Sequence, residues 1–239
     1  MIRYIVVGVV LFVGFAVAFA PASLVGTALP AGAGVELLTP SGTVWRGRAE
    51  LFVGGQPAGA LAWRFRPVTI LQGTLGYHVT LGGPDHALDG TVAAGPATLS
   101  LRLDGQAQAA YVNRWLAPYD IAISGPLTFE GIEAQVPYRA PAQGRTAGSA
   151  QWAGGAVRYR LGRRVRDGSL PPLVAYLGEG LEAVVYPQGG QTPLLTAELL
   201  PSGFARIGVT ALFTRLAGNP WPGSHADHEV VLEVEEQLF

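Results

Sequence analysis

From Thr43 towards the C-terminus, apolar and polar side chains alternate with a period of two, which restricts the chain to strands with one buried and one wet face. In Thr43–Val53 the odd positions Trp45, Gly47, Ala49, Leu51 and Val53 are small or apolar, while Arg46, Arg48 and Glu50 hold even ones. Leu61, Trp63 and Phe65 alternate with Arg64 and Arg66, and Tyr77, Val79 and Leu81 with His78 and Thr80. Leu99, Leu101 and Leu103 alternate with Ser100, Arg102 and Asp104, and the pattern returns in Leu195–Leu199 and Val230–Val234. Turn signals such as Gly54-Gly55, Gly82-Gly83-Pro84-Asp85 and Pro201-Ser202-Gly203 separate the runs. The expected fold is all-β and antiparallel. One helix is expected, over Ala107–Ala117, where Tyr111 and Trp115 share a face and Pro118 ends the run.

Composition narrows the function classes. The 33 Gly, 18 Pro and 14% charged residues leave no room for a helical bundle. All 16 basic residues are Arg, balanced by 17 acids to a net charge of -1, so no global field draws in nucleic acid. There is no Cys, hence no disulfide, CxxC redox pair or Cys-ligated zinc.

Arg3 is the one charge before Glu36, and Ile5–Leu24 is an uncharged apolar run of 20 residues, enough as a helix to span a bilayer core of roughly 30 Å. Ala18-Phe19-Ala20 resembles a signal-peptidase site, but Pro21 directly after it, rigid and without an N–H, disfavours cutting. The expectation is a retained signal anchor, with Arg3 placing the N-terminus in the cytoplasm. The chain also ends in an alternating strand and Phe239, as outer-membrane barrels do, yet a spanning helix over residues 5–24 and wet faces bearing Arg and Glu argue against that class.

A weak internal repeat relates Ser41–Gly47 to Ser124–Gly131 and Gly59–Trp63 to Gly148–Trp152, at offsets of 83 and 89 residues. It predicts two similar β units meeting near Pro118–Ser124.

The segments S-G-T-V-W-R-G (Ser41–Gly47), A-G-A-L-A-W-R-F-R-P (Ala58–Pro67), A-G-S-A-Q-W-A-G-G (Ala147–Gly155) and G-N-P-W-P (Gly218–Pro222) resemble the type II secretion system protein N family, which has AsmA-like kinship. The resemblance implies an accessory component in the bacterial inner membrane, with other inner-membrane secretion components as partners and the secretin as a further candidate. It implies no cofactor and no catalytic residue. The residues give the expected organisation, anchor 1–24, linker 25–35 and a periplasmic β domain over 36–239 with half-repeats 36–120 and 121–239, and the resemblance implies that the sheet is curled or forms a groove. The alternative function is a periplasmic lipid or hydrophobic-ligand binding or transfer protein of AsmA-like type.

The residues themselves offer little chemistry. No G-x-S-x-G elbow, H-E-x-x-H or Walker loop occurs, and the acids are scattered, so no enzyme is expected. His225, Asp227 and His228 could ligate a metal, but their setting between Trp221-Pro-Gly-Ser and an alternating run favours a solvated loop. Arg158, Arg160, Arg163, Arg164 and Arg166 could hold anionic headgroups or an acidic partner, or simply form the polar side of a strand and its turn. Trp45, Trp63 and Trp152 either pack in a core or line an apolar groove. Candidate partner or groove contacts are therefore Trp45, Trp63, Trp152, Arg158, Arg160, Arg163 and Arg164.

Overall fold

The computed structural model describes residues 2–27, 34–161, 164–200 and 202–237. The chain divides into two compact units, Met1–Gly83 and Pro84–Phe239. Both are dominated by antiparallel strands, as the alternation predicts.

The first unit contains helices α1 (Ile2–Ala18) and α2 (Ser23–Thr27) and strands β1 (Val35–Gly42), β2 (Arg46–Val53), β3 (Gln56–Arg66) and β4 (Leu75–Gly83), in sheet order β1-β2-β3-β4. Ala49, Leu61 and Trp63 face inward while Arg48, Glu50 and Arg64 face water. Ala22, Ala49 and Trp63 form the buried centre, with Val25, Leu37, Leu61, Tyr77 and Val79 packed around it. Gly47 lies opposite Trp63, and a Cβ there would come within 2.5 Å of Cζ2 of the indole. Only glycine leaves that ring its place. The Trp63 indole N–H donates to the Thr43 carbonyl at 3.2 Å, so the buried ring leaves no polar atom unpaired.

The N-terminal run is shorter as a helix than expected. α1 has 17 residues, about 25 Å at 1.5 Å per residue, against a hydrocarbon core of roughly 30 Å. Among the described residues no helix is long and apolar enough to cross a membrane. The helix stops because the next residues are held by the sheet. Pro21 bridges to Thr43, Val44 N–H donates to the Ala20 carbonyl at 2.9 Å, and Ala22 N–H donates to the Gly42 carbonyl at 3.1 Å. α2 occupies the first part of the expected linker, whose residues 28–33 lie outside the described ones.

The second unit contains β5 (His86–Ala94), β6 (Thr98–Ala107), α3 (Ala109–Leu116), β7 (Ile121–Ile123), β8 (Leu127–Pro137), β9 (Arg145–Trp152), β10 (Gly155–Leu161), β11 (Arg164–Leu170), β12 (Leu173–Gly178), β13 (Glu182–Pro187), β14 (Leu195–Leu199), β15 (Phe204–Thr210), α4 (Ala211–Leu216) and β16 (Val230–Gln237). One sheet runs β5-β6-β8-β9-β12-β13-β14-β15-β16, and a separate three-stranded sheet runs β11-β10-β7. α3 is the helix expected from the sequence, with Tyr111 and Trp115 rings edge-on at 6.3 Å. Its Asn113 acts as a backbone mimic, accepting from Ile123 N–H at 2.8 Å and donating to the Ile123 carbonyl at 2.9 Å, which ties α3 to β7. On β16 the structure departs from the expected buried face: Val230 and Val234 are each 45% exposed. Among the described residues β16 is an edge with one neighbouring strand, so its apolar face is only partly covered.

The repeated segments are used alike in their own units. Gly59 and Gly148 have φ of 128° and 108°, outside the range open to other residues, and each sits at a register shift four positions before a buried Trp. Trp152 donates its indole N–H to the Ser124 carbonyl at 2.7 Å, as Trp63 does to Thr43.

Candidate functional site

An apolar cleft of about 260 Å³ lies within the second unit. One wall is the apolar face of the three-stranded sheet, with Ile121 from β7, Val157 and Tyr159 from β10, and Leu170 from β11. The opposite wall is Val209 of β15, Phe213 and Thr214 of α4, and Leu232 of β16. Tyr119, Asn219, Trp221 and Arg160 border it. Its half-open apolar lining suits an uncharged, greasy group. The volume falls just below the roughly 300–1,000 Å³ of ordinary small-molecule pockets, so a side chain or a short acyl segment fits better than a whole phospholipid.

Thr210 sets the position of α4. It is fully buried and caps the helix, accepting from Phe213 N–H at 3.4 Å while its hydroxyl donates to the Pro193 carbonyl at 2.9 Å. Beyond α4 the chain folds back: Asn219 N–H reaches the Thr214 carbonyl at 2.9 Å, and Trp221 N–H reaches Thr214 Oγ1 at 3.2 Å. That return carries Trp221, 40% exposed, to the cleft. The Tyr159 hydroxyl donates to the Ala217 carbonyl at 3.3 Å, joining the two walls.

The arginine run does not make one patch. The β10–β11 register places Arg158 opposite Asp167 and Tyr159 opposite Arg166, so Arg158 and Arg160 share one face of the hairpin while Arg164 and Arg166 share the other with Tyr159 and Val157. Arg158 pairs with Asp167 at 2.7 Å and Arg160 with Asp120 at 3.0 Å. Arg164 is exposed on β11, and Arg163 lies outside the described residues. The one formal charge bordering the cleft, Arg160, is therefore already balanced.

The three tryptophans lie outside the cleft. Trp63 and Trp152 are 6% and 9% exposed, each with its N–H bound to backbone. Trp45 precedes β2, packs edge-on to Phe65 at 4.9 Å, and donates to the Val17 carbonyl at 2.8 Å. The His225 loop is internally paired: Nδ1 of His225 is 3.0 Å from Glu229, and Asp227 forms an ion pair with Arg215. His225, with its bonded neighbours, holds the Glu229 carboxyl below its ordinary value. Among the described residues no group of His, Asp and Glu is gathered to hold a metal ion.

Sequence patterning identified neither Phe213 nor Trp221 as a lining residue. Of the candidate contacts read from the sequence, Arg160 borders the cleft, with Val157 and Tyr159 of the same strand in its wall; Trp221 stands in the Gly218–Pro222 segment, which the sequence offered only as part of the family resemblance.

His86 at the start of β5 is 6% exposed and stacks on Tyr111 at 4.0 Å, and neither ring nitrogen has a hydrogen-bond partner among the described residues. Burial and the Arg114 guanidinium push its pKa below 6.5, against a smaller opposing effect of Asp85.

No curated protein and no solved structure matches the chain. The family model for type II secretion system (T2SS), protein N matches residues 33–213, from just before β1 into α4 and short of the Gly218–Pro222 segment. That span is well over half of the sequence and takes in both repeated Gly–Trp segments, so the chain belongs to the type II secretion system protein N family.

Proposed function

We propose that this chain is an inner-membrane accessory component of the type II secretion machine, held by α1 with its N-terminus in the cytoplasm, whose periplasmic β domain docks other secretion components. The carrying observation is the apolar cleft with Trp221 at its border: a hollow sized for one or two apolar side chains, next to an exposed aromatic of the type enriched at protein interfaces. Family membership supports the secretion role. The anchor is supported by the apolar sequence of α1 and by Phe12, Phe15 and Phe19, all more than 60% exposed. A short helix is accommodated by local thinning of the bilayer. The two half-repeats, 36–120 and 121–239, belong to the same proposal and are supported by the matched roles of Trp63 and Trp152.

A second reading, a hydrophobic-ligand or lipid binder, is favoured by the same apolar lining but opposed by the small volume. Trp221→Ala tests the first. The side chain borders the cleft rather than filling a core, so thermal unfolding should stay unchanged while co-purification of secretion components is lost. Unchanged co-purification would show that the cleft is not the docking site.

A further inference from the structure

Residues 67–74, which join β3 to β4, form with Leu75 at the start of β4 a hydrogen-bonded turn that points apolar side chains at solvent. Pro67–Gln72 is a short 3-10 helix held from inside by Thr69, which is 7% exposed. The Thr69 hydroxyl donates to the Arg66 carbonyl at 2.8 Å and accepts from Gly76 N–H at 2.8 Å, and its carbonyl accepts from Thr74 N–H at 3.0 Å. With that polar residue turned inward, Val68, Ile70 and Leu75 are each more than half exposed and Leu71 is 88% exposed. An ordered, contiguous apolar knob of this kind marks an interaction surface rather than scattered exposure.

The location of the knob indicates what covers it. β3 ends at Arg66, and the same end of the sheet receives the C-terminus of α1: Phe65 N–H donates to the Trp45 carbonyl at 2.7 Å, and the Trp45 indole donates to the Val17 carbonyl. Helix and knob therefore leave the first unit at one end. That end is also basic. Arg46 lies directly opposite Arg64 in the β2–β3 register, with Arg66 two residues on; all three are exposed, and none has an acidic partner among the described residues. Like charges placed across strands repel unless an anion bridges them. A helix of about 25 Å, shorter than the hydrocarbon core, draws this end of the sheet down to the headgroups.

We propose that Val68, Ile70, Leu71 and Leu75 insert into the interfacial layer of the bilayer that holds α1, while Arg46, Arg64 and Arg66 take anionic phospholipid headgroups, so that the first unit is fixed on the membrane at two points. This rests on the anchor reading of α1. Greasy side chains supply the insertion and the arginines the preference for negative lipid.

The absence of cysteine makes the test direct. Full-length Leu71→Cys, and Glu36→Cys as a control at the other end of β1, are labelled with an environment-sensitive fluorophore and reconstituted in phosphatidylcholine vesicles with or without phosphatidylglycerol. The Leu71 label should be blue-shifted, quenched by nitroxide-bearing acyl chains and shielded from iodide; the Glu36 label should be quenched by iodide alone. Phosphatidylglycerol should deepen the Leu71 label, and Arg46→Gln, Arg64→Gln and Arg66→Gln together should remove that dependence. Protein that stays in the membrane through alkaline extraction, but whose Leu71 label is as open to iodide as the Glu36 label, overturns the docking knob and leaves the anchor standing. Protein released by alkali overturns the anchor and this proposal with it.

Discussion

The indole N–H of Trp45 donates to the carbonyl of Val17 at 2.8 Å, across 28 residues of sequence, and so joins the last turn of an apolar helix to the first strands of a β unit. Val17 O is one of the four carbonyls a helix leaves unpaired at its C-terminus, and it accepts a second bond from Ala20 N–H at 3.3 Å. Cleavage after Ala20 would remove this contact and the Val44–Ala20 bond. Mass spectrometry of membrane-extracted protein should therefore find the segment before Pro21 still attached. A chain beginning at Pro21 in the soluble periplasm would refute retention. Trp45→Phe keeps the ring against Phe65 and removes the donor, so it should cost about 0.5–1.5 kcal/mol in thermal unfolding of the detergent-solubilised chain.

Trp63 and Gly47 should behave as one packing unit. Trp63→Ala should cost about 3–5 kcal/mol, the usual loss for a large buried aromatic. Gly47→Ala should also destabilise, because its methyl would meet the ring and the Ser41 carbonyl. In the double variant the cost should fall short of the sum, since the ring clash is gone. Strict additivity, measured by denaturant unfolding, would mean that the two residues do not share a contact.

Acid should loosen the second unit through His86. Its pKa is held below 6.5 by burial first and Arg114 second, so the folded state disfavours the charged ring relative to the unfolded chain. Stability is then full above about pH 6.5 and declines as pH falls from there through the lowered folded value. His86→Phe, which can keep the stack on Tyr111, should flatten that decline. An unchanged pH slope in this variant would assign the acid sensitivity to other groups.

The Arg158–Asp167 pair makes the opposite prediction. Both side chains are about two-thirds exposed, and exposed ion pairs contribute about 0–1 kcal/mol. Arg158→Gln should leave the melting temperature nearly unchanged; a loss of several degrees would show that the hairpin depends on that pair.

Local periodicity carried much of this architecture. The inward positions of Ala49, Leu61 and Trp63, helix α3 with Tyr111 and Trp115 on one face, and the opposition of Arg158 and Arg160 to Val157 and Tyr159 all follow from spacing along single elements. The cleft was not legible, because it depends on pairings far apart in sequence: β10 beside β7, and Tyr159 bonded to Ala217 across 58 residues. The end of α1 was hidden for a related reason. Hydropathy runs on to Leu24, but sheet contacts at Ala20, Pro21 and Ala22 claim the backbone first.

That the cleft receives an apolar group of another secretion component can be read by placing a photo-crosslinking amino acid at Asn219, which borders the cleft and leaves Trp221 in place, and irradiating intact cells. A crosslink to an inner-membrane component of the type II machine is expected, with no lipid adduct in the mass spectrum. Adducts to phospholipid alone, with no protein partner, would contradict it and establish the cleft as a lipid site.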